Sequence, residues 1–159
     1  MKHLFLFLTL LFALPAPVAV GEFRIGAAAV VITPPDGTPM AGYYRKRLSE
    51  GTLDDLYSKA VVFERDGVKA AIVECDILTL PRHTIETARK LIEQQTGIRG
   101  QNVMIAATHS HTSPVVSGEN TRDKLDGGDT EPALKFTENL PKLIAQSVAE
   151  ANRKLAPAR

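Results

Sequence analysis

VKAAIVECDILTLPRHTIETARKLIEQQTGIRGQNVMIAAT, residues 68–108, changes its hydrophobic period twice. From Val68 to Leu78 the residues are mostly Val, Ile, Leu and Ala, the composition of a strand buried in a sheet. From Pro81 onward, Ile85, Ala88, Leu91 and Ile92 fall on one face of a 3.6-residue period while Glu86, Arg89, Lys90 and Glu93 fall elsewhere. That pattern predicts an amphipathic helix opened by Pro81 and stopped by Gly97. Asn102 to Thr108 is again strand-like. A strand, a helix and a strand in succession form a crossover unit with parallel strands, so the expected core is α/β.

Working outward, Tyr57 to Glu64 precedes Arg65, Asp66 and Gly67, and the Asp-Gly pair marks a tight hairpin with the strand that begins at Val68. Phe23 to Thr33 reads as a further strand, stopped by Pro34 and Pro35. The segment from Pro39 to Asp55 is irregular, and Arg45, Lys46 and Arg47 read as a solvated loop face. On the other side, Ser117 to Asp129 reads as a Gly-rich charged loop. Glu131 to Leu155 reads as a helix with a kink or restart at Pro141. The sum is a mixed β-sheet with flanking helices and no internal repeat.

The chain has 159 residues, 44% of them hydrophobic and 23% charged, which suits one globular core. Lys plus Arg number 19 and Asp plus Glu 18, so no excess of positive charge points to nucleic acid or to an acidic membrane surface. A single cysteine, Cys75, excludes an internal disulfide and any cysteine-built zinc or iron-sulfur site. At the start, Lys2 and His3 lead into the apolar run Leu4 to Leu14, followed by Pro15, Ala16, Pro17, Val18, Ala19, Val20 and Gly21. This is the outline of a secretory signal peptide over residues 1–21, too short to span a bilayer and broken by its prolines. The expectation is a secreted or periplasmic chain starting near Glu22, with no integral span in its mature part.

Chemistry concentrates in Thr108, His109, Ser110, His111, Thr112, Ser113 and Pro114, at the carboxyl end of the last strand. In an extended backbone, residues two apart share a side, so His109 and His111 can converge while Ser110 faces away. Paired imidazoles suit zinc, which in a catalytic site takes about three protein ligands and an open water position. Such a spacing also arises incidentally. Asp76 lies at the carboxyl end of the neighbouring strand, where open α/β sheets place their ligands. Its carboxylate could orient a histidine, or it could simply bond backbone amides. Cys75 sits within an apolar strand and reads as a buried small hydrophobe rather than a nucleophile. His83, in the first helical turn, reads as solvent-facing or capping.

RIGAAAVVITPPDGTPMAGYY (residues 24–44), AIVECD (71–76) and IAATHSHTSP (105–114) resemble the amino-terminal part of the neutral/alkaline, non-lysosomal ceramidases and their bacterial homologues. The likeness spans nearly all of residues 22–159, which it implies are an incomplete ceramidase-like domain. It implies that His109 is a zinc ligand and His111 a catalytic histidine contacting the substrate or the activated water. By the same likeness Met40, Ala41, Gly42 and Tyr43 match a Met-x-Gly-Tyr segment near the site, and Thr108 opens the Thr-His-x-His motif. The implied activity is hydrolysis of the N-acyl amide of ceramide, or of a related lipid amide, by zinc-activated water. The family's remaining zinc ligands, a His, a Glu and a Tyr, lie downstream of the matched part. The sequence departs from the pattern at Ser113, Val115 and Val116, where glycines are usual.

Two other classes remain open on the sequence: a catalytically inert secreted binding module of the same fold, and a cysteine hydrolase built on Cys75. Nothing in the sequence sets an oligomeric state. The expectation is that the 159 residues are part of a larger secreted enzyme.

Overall fold

A computed structural model describes residues 21–118 and 120–158. Apart from Gly21, the expected signal segment lies outside the described residues. Five strands form one sheet in the order β4-β3-β2-β1-β5. They are β1 (Arg24–Val31), β2 (Tyr57–Arg65), β3 (Val68–Cys75), β4 (Val103–Ala107) and β5 (Ala156–Pro157). Only β3 and β4 run parallel, joined by the helix α1 (Arg82–Thr96), so the sheet is mixed and the crossover expected from residues 68–108 is present.

The β2–β3 hairpin closes between Arg65 and Val68, leaving a two-residue turn. Asp66 and Gly67 adopt φ values of 52° and 76°. Two successive positive φ angles define the primed turn whose twist matches that of the strands, and Asp-Gly enters it at little steric cost. β3 is shorter than expected, ending at Cys75 rather than Leu78. Beyond it the Ile77 N–H turns back to the Cys75 carbonyl, and the Asp76 side chain takes up the N–H of Tyr57.

One face of the sheet is the core. Ala28, Val62, Val73, Cys75, Val103 and Ile105 point to α1 and to α3 (Glu131–Arg153), which contribute Ala88, Ile92, Leu140, Ile144 and Val148. Arg89 pins the crossover helix to the start of β4, donating to the Val103 carbonyl from Nε at 3.0 Å and Nη2 at 2.8 Å. The expected restart at Pro141 does not occur: α3 is one unbroken helix. Proline removes one intrahelical donor, but Leu140, Pro141, Ile144 and Ala145 are all buried, and their packing holds the helix through the defect.

The other face of the sheet is apolar as well. Ala27, Val61, Ile72 and Met104 form one row across β1 to β4, and Ile25, Phe63 and Ala70 form another. Lys59 and Glu74 are register partners in a third row, between Ala29 and Ala106.

Three further expectations are corrected. The supposed loop Ser117–Asp129 holds a short helix, α2 (Thr121–Leu125), because Asn120 caps it: its side chain accepts the Asp123 N–H at 2.8 Å and donates to Asp123 Oδ2 at 2.7 Å. The last helix ends at Arg153, not Leu155, and Ala156–Pro157 returns as β5 along β1. The irregular Pro39–Asp55 segment contains a β-bridge, Pro39 to Leu48, and a second bridge joins Met40 to Pro114. That second bridge carries residues 39–43 to the carboxyl end of β4.

Candidate functional site

β4 ends at Ala107, yet its pairing with the β3 side continues. The Thr108 N–H donates to the Cys75 carbonyl at 3.0 Å and the Ser110 N–H to that of Ile77 at 3.1 Å. Between them His109 takes φ 65°, a left-handed conformation uncommon for a residue with a Cβ. The backbone is therefore not extended here, and the two imidazoles meet by another route than strand parity. His109 Nδ1 donates to the Leu78 carbonyl at 3.0 Å, and His111 Nδ1 donates to the Gly42 carbonyl at 3.1 Å. A carbonyl oxygen only accepts, so in the neutral ring each Nδ1 carries the proton and each Nε2 keeps its lone pair. The rings stand edge to face with centroids 5.2 Å apart, and both residues are exposed. Ser110 Oγ and Thr112 Oγ1 share a hydrogen bond at 3.2 Å.

Gly42 supplies the carbonyl for a steric reason. Its φ is 85°, and a Cβ there would lie 2.4 Å from His111 Nδ1. Any side chain would push the imidazole off the carbonyl. The segment is clamped along its length: the Ala41 N–H donates to the Ser113 carbonyl and the Val115 N–H to that of Pro39, both at 2.9 Å. Tyr43, half-buried, has its ring under the guanidinium of Arg47 at 4.9 Å. Arg47 is thus exposed as expected, but not idle, since cation–π contact fixes it on Tyr43.

Asp76 is placed differently from a histidine-orienting carboxylate. Its Oδ2 accepts from the Tyr57 N–H at 3.0 Å and from Lys59 Nζ at 3.2 Å, while backbone carbonyls take the histidines. Of its two sequence readings, amide bonding is the one the contacts express. Thr108 has an exposed side chain, and its N–H serves the ladder. His83 is exposed beside Thr84. Cys75 is fully buried, with Sγ 3.7 Å from Ser58 Oγ, and burial pushes its thiol up to about 11. A thiol so protonated and so enclosed is no nucleophile, which removes the cysteine-hydrolase reading.

Ser113, Val115 and Val116, the positions that depart from the glycine pattern, are buried at 0%, 1% and 4% exposure. Ser113 donates its hydroxyl to the Ser110 carbonyl at 2.7 Å. The departures thus fill the interior beneath the histidine turn. Beside Thr112 and Pro114 a cleft of about 430 Å³ opens, lined on its apolar side by Met40, Leu48, Leu53 and Leu56.

Sequence reasoning missed Arg122 and Asp126. Asp126 is 3% exposed; its Oδ2 accepts from the Gly42 N–H at 3.4 Å and from Arg122 Nε at 3.3 Å. Arg122 also donates to the Tyr43 carbonyl and lies over the Tyr44 ring. The available signal was the i, i+4 spacing of the pair, which overlaps the Asn120-x-x-Asp123 cap.

No group of three or more His, Cys, Asp or Glu side chains fit to hold a metal occurs among the described residues. No helix among them is long and apolar enough to cross a membrane. The donor chemistry at His109 nevertheless fits zinc: a free Nε2 with the opposite N–H on a carbonyl is the usual arrangement of a ligating histidine.

No family model and no curated protein matches the chain. Solved structures share its fold, two of them as follows. The crystal structure of neutral ceramidase from Pseudomonas aeruginosa aligns at TM-score 0.76 and 22% identity, and a ceramidase complexed with C2 aligns at TM-score 0.75 and 22% identity. Each alignment covers 86% of this chain and 22% of the other. The chain therefore has the α/β fold of a part of neutral ceramidase and spans about a fifth of that protein's length.

Proposed function

We propose that residues 22–159 are an incomplete catalytic domain of a secreted or periplasmic zinc-dependent amide hydrolase, acting on ceramide or a related lipid amide. The observation that carries this reading is the adjacent His109 and His111, both with Nε2 free, on a fold shared with neutral ceramidase. His109 is the zinc ligand; further ligands belong to other parts of the longer protein. When bound, zinc supplies a Lewis acid for the amide carbonyl and lowers the pKa of water to about 7.

The chain's own residues do the rest. The Leu78 carbonyl holds the Nδ1 proton of His109 and so aims its Nε2 lone pair. The Gly42 carbonyl does the same for His111, whose Nε2 accepts a proton from the attacking water and passes it to the leaving amine. The cleft beside Thr112 and Pro114, with Met40, Leu48, Leu53 and Leu56 on its wall, suits a hydrocarbon chain near the amide.

The test is made on the longer protein that carries this domain. Zinc content is measured in the wild type and in His109→Ala, and hydrolysis of a ceramide with and without chelator. Loss of stoichiometric zinc in His109→Ala and chelator-sensitive turnover are expected. Equal zinc in both would remove His109 from the ligand set, and absence of turnover in the zinc-loaded protein would leave an inert binding module of this fold.

A further inference from the structure

We infer that Asp126 is a positioning residue for His111, acting through the backbone of Gly42 and Tyr43. Three backbone groups on two successive residues carry the connection. The Gly42 N–H is held by Asp126 Oδ2 at 3.4 Å, the Gly42 carbonyl accepts from His111 Nδ1 at 3.1 Å, and the Tyr43 carbonyl accepts from Arg122. Arg122 and Asp126 are themselves paired, Nε to Oδ2 at 3.3 Å. The turn that presents a carbonyl to the imidazole is thus gripped on both sides of that carbonyl by one ion pair, between Arg122 of α2 and the residue that follows the helix, Asp126. Gly42 has no side chain to fix its own orientation, and φ 85° leaves the turn dependent on what holds its flanking peptides.

The ion pair is an expensive way to cap a five-residue helix. The Asp126 side chain is 4% exposed against 48% for Arg122, and its second oxygen, Oδ1, has no hydrogen-bond partner among the described residues. A buried carboxylate with one oxygen unbonded costs free energy, and such a group calls for a role beyond stability. Aiming His111 is that role. With Nδ1 committed to the Gly42 carbonyl, Nε2 is the nitrogen left to accept a proton.

The inference rests on the proposed function only in that His111 works through Nε2; the test needs neither zinc nor turnover. Imidazole ¹⁵N shifts are recorded for the ¹⁵N-histidine-labelled longer protein that carries this domain, without added zinc, at one pH above the histidine range, where they report which nitrogen bears the proton. In the wild type, His111 is expected to carry it on Nδ1. Asp126→Ala should shift the His111 resonances to a mixture with Nε2–H, and Asp126→Asn, which keeps an acceptor for the Gly42 N–H, should restore part of the wild-type signature. His109, held by Leu78, should not change in any variant. A folded Asp126→Ala with unaltered His111 shifts overturns the inference. If that variant does not fold, Arg122→Gln decides: it must move His111 and spare His109, and no movement overturns the inference equally.

Discussion

Burial at Cys75 converts a reactive residue type into a packing element. The thiol lies against Ser58 Oγ at full burial, and its pKa rises from an ordinary 9.0 to about 11, chiefly because desolvation disfavours the thiolate. The sign of the effect on stability follows. The folded chain holds the proton more tightly than the unfolded chain, so this contribution is complete below pH 9 and is lost as pH rises through 11, amounting to about 3 kcal/mol. Native protein is expected to resist alkylation at pH 8 and to label fully in denaturant, and Cys75→Ala should flatten the alkaline part of the stability curve measured by urea unfolding. At this scale the sequence was partly legible. His109 and His111 announce themselves by residue type and spacing, whereas the groups that aim them, the carbonyls of Leu78 and Gly42, are backbone atoms with no residue signature. Asp126 is invisible for the same reason, since its link to His111 passes through a peptide 84 residues earlier in the chain.

Among the elements, α3 carries most of the layer that covers the sheet, through Phe136, Leu140, Ile144, Ala145 and Val148. Ile144 is fully buried one turn past Pro141, where the missing intrahelical bond makes side-chain packing the main restraint. Ile144→Ala is expected to cost about 2–5 kcal/mol, read as a lowered denaturant midpoint at unchanged slope. The elements that the sequence revealed are those whose local code and tertiary role agree. The hairpin rests on Asp66-Gly67, and α1 on its apolar stripe between Pro81 and Gly97. The elements it concealed lack that redundancy. α2 has five residues, too few for a period to show, and β5 is two residues including a proline, defined only by its neighbour β1. Pro141 misled in the opposite sense, because a local breaker was overruled by burial on both sides of it.

For the whole molecule, the arrangement is two layers, helices on one face of the sheet and an apolar second face. Val31, Val68, Ile72 and Met104 on that face are 46%, 64%, 43% and 55% exposed, with Lys59, Arg65 and Glu74 the charged residues of the strands on it. Contiguous apolar surface of this kind drives association. The 159-residue chain is expected to bind an apolar-sensing dye while folded and to associate with rising concentration in sedimentation velocity. Ile72→Lys combined with Met104→Lys should suppress both without changing the far-ultraviolet spectrum; persistence of both in that variant would place the association elsewhere. The strand order has a separate consequence for how the protein is made. Among the described residues β1 is the first strand to be synthesised and β5 the last, yet they are neighbours, joined through Arg24 with Pro157 and Ile25 with Ala156. Until β5 is made, no strand among the described residues meets β1's far edge, and β5 then covers only its first two residues. Because β5 pairs only two of the eight residues of β1, the remaining six keep an unpaired backbone edge among the described residues, a template open to another strand.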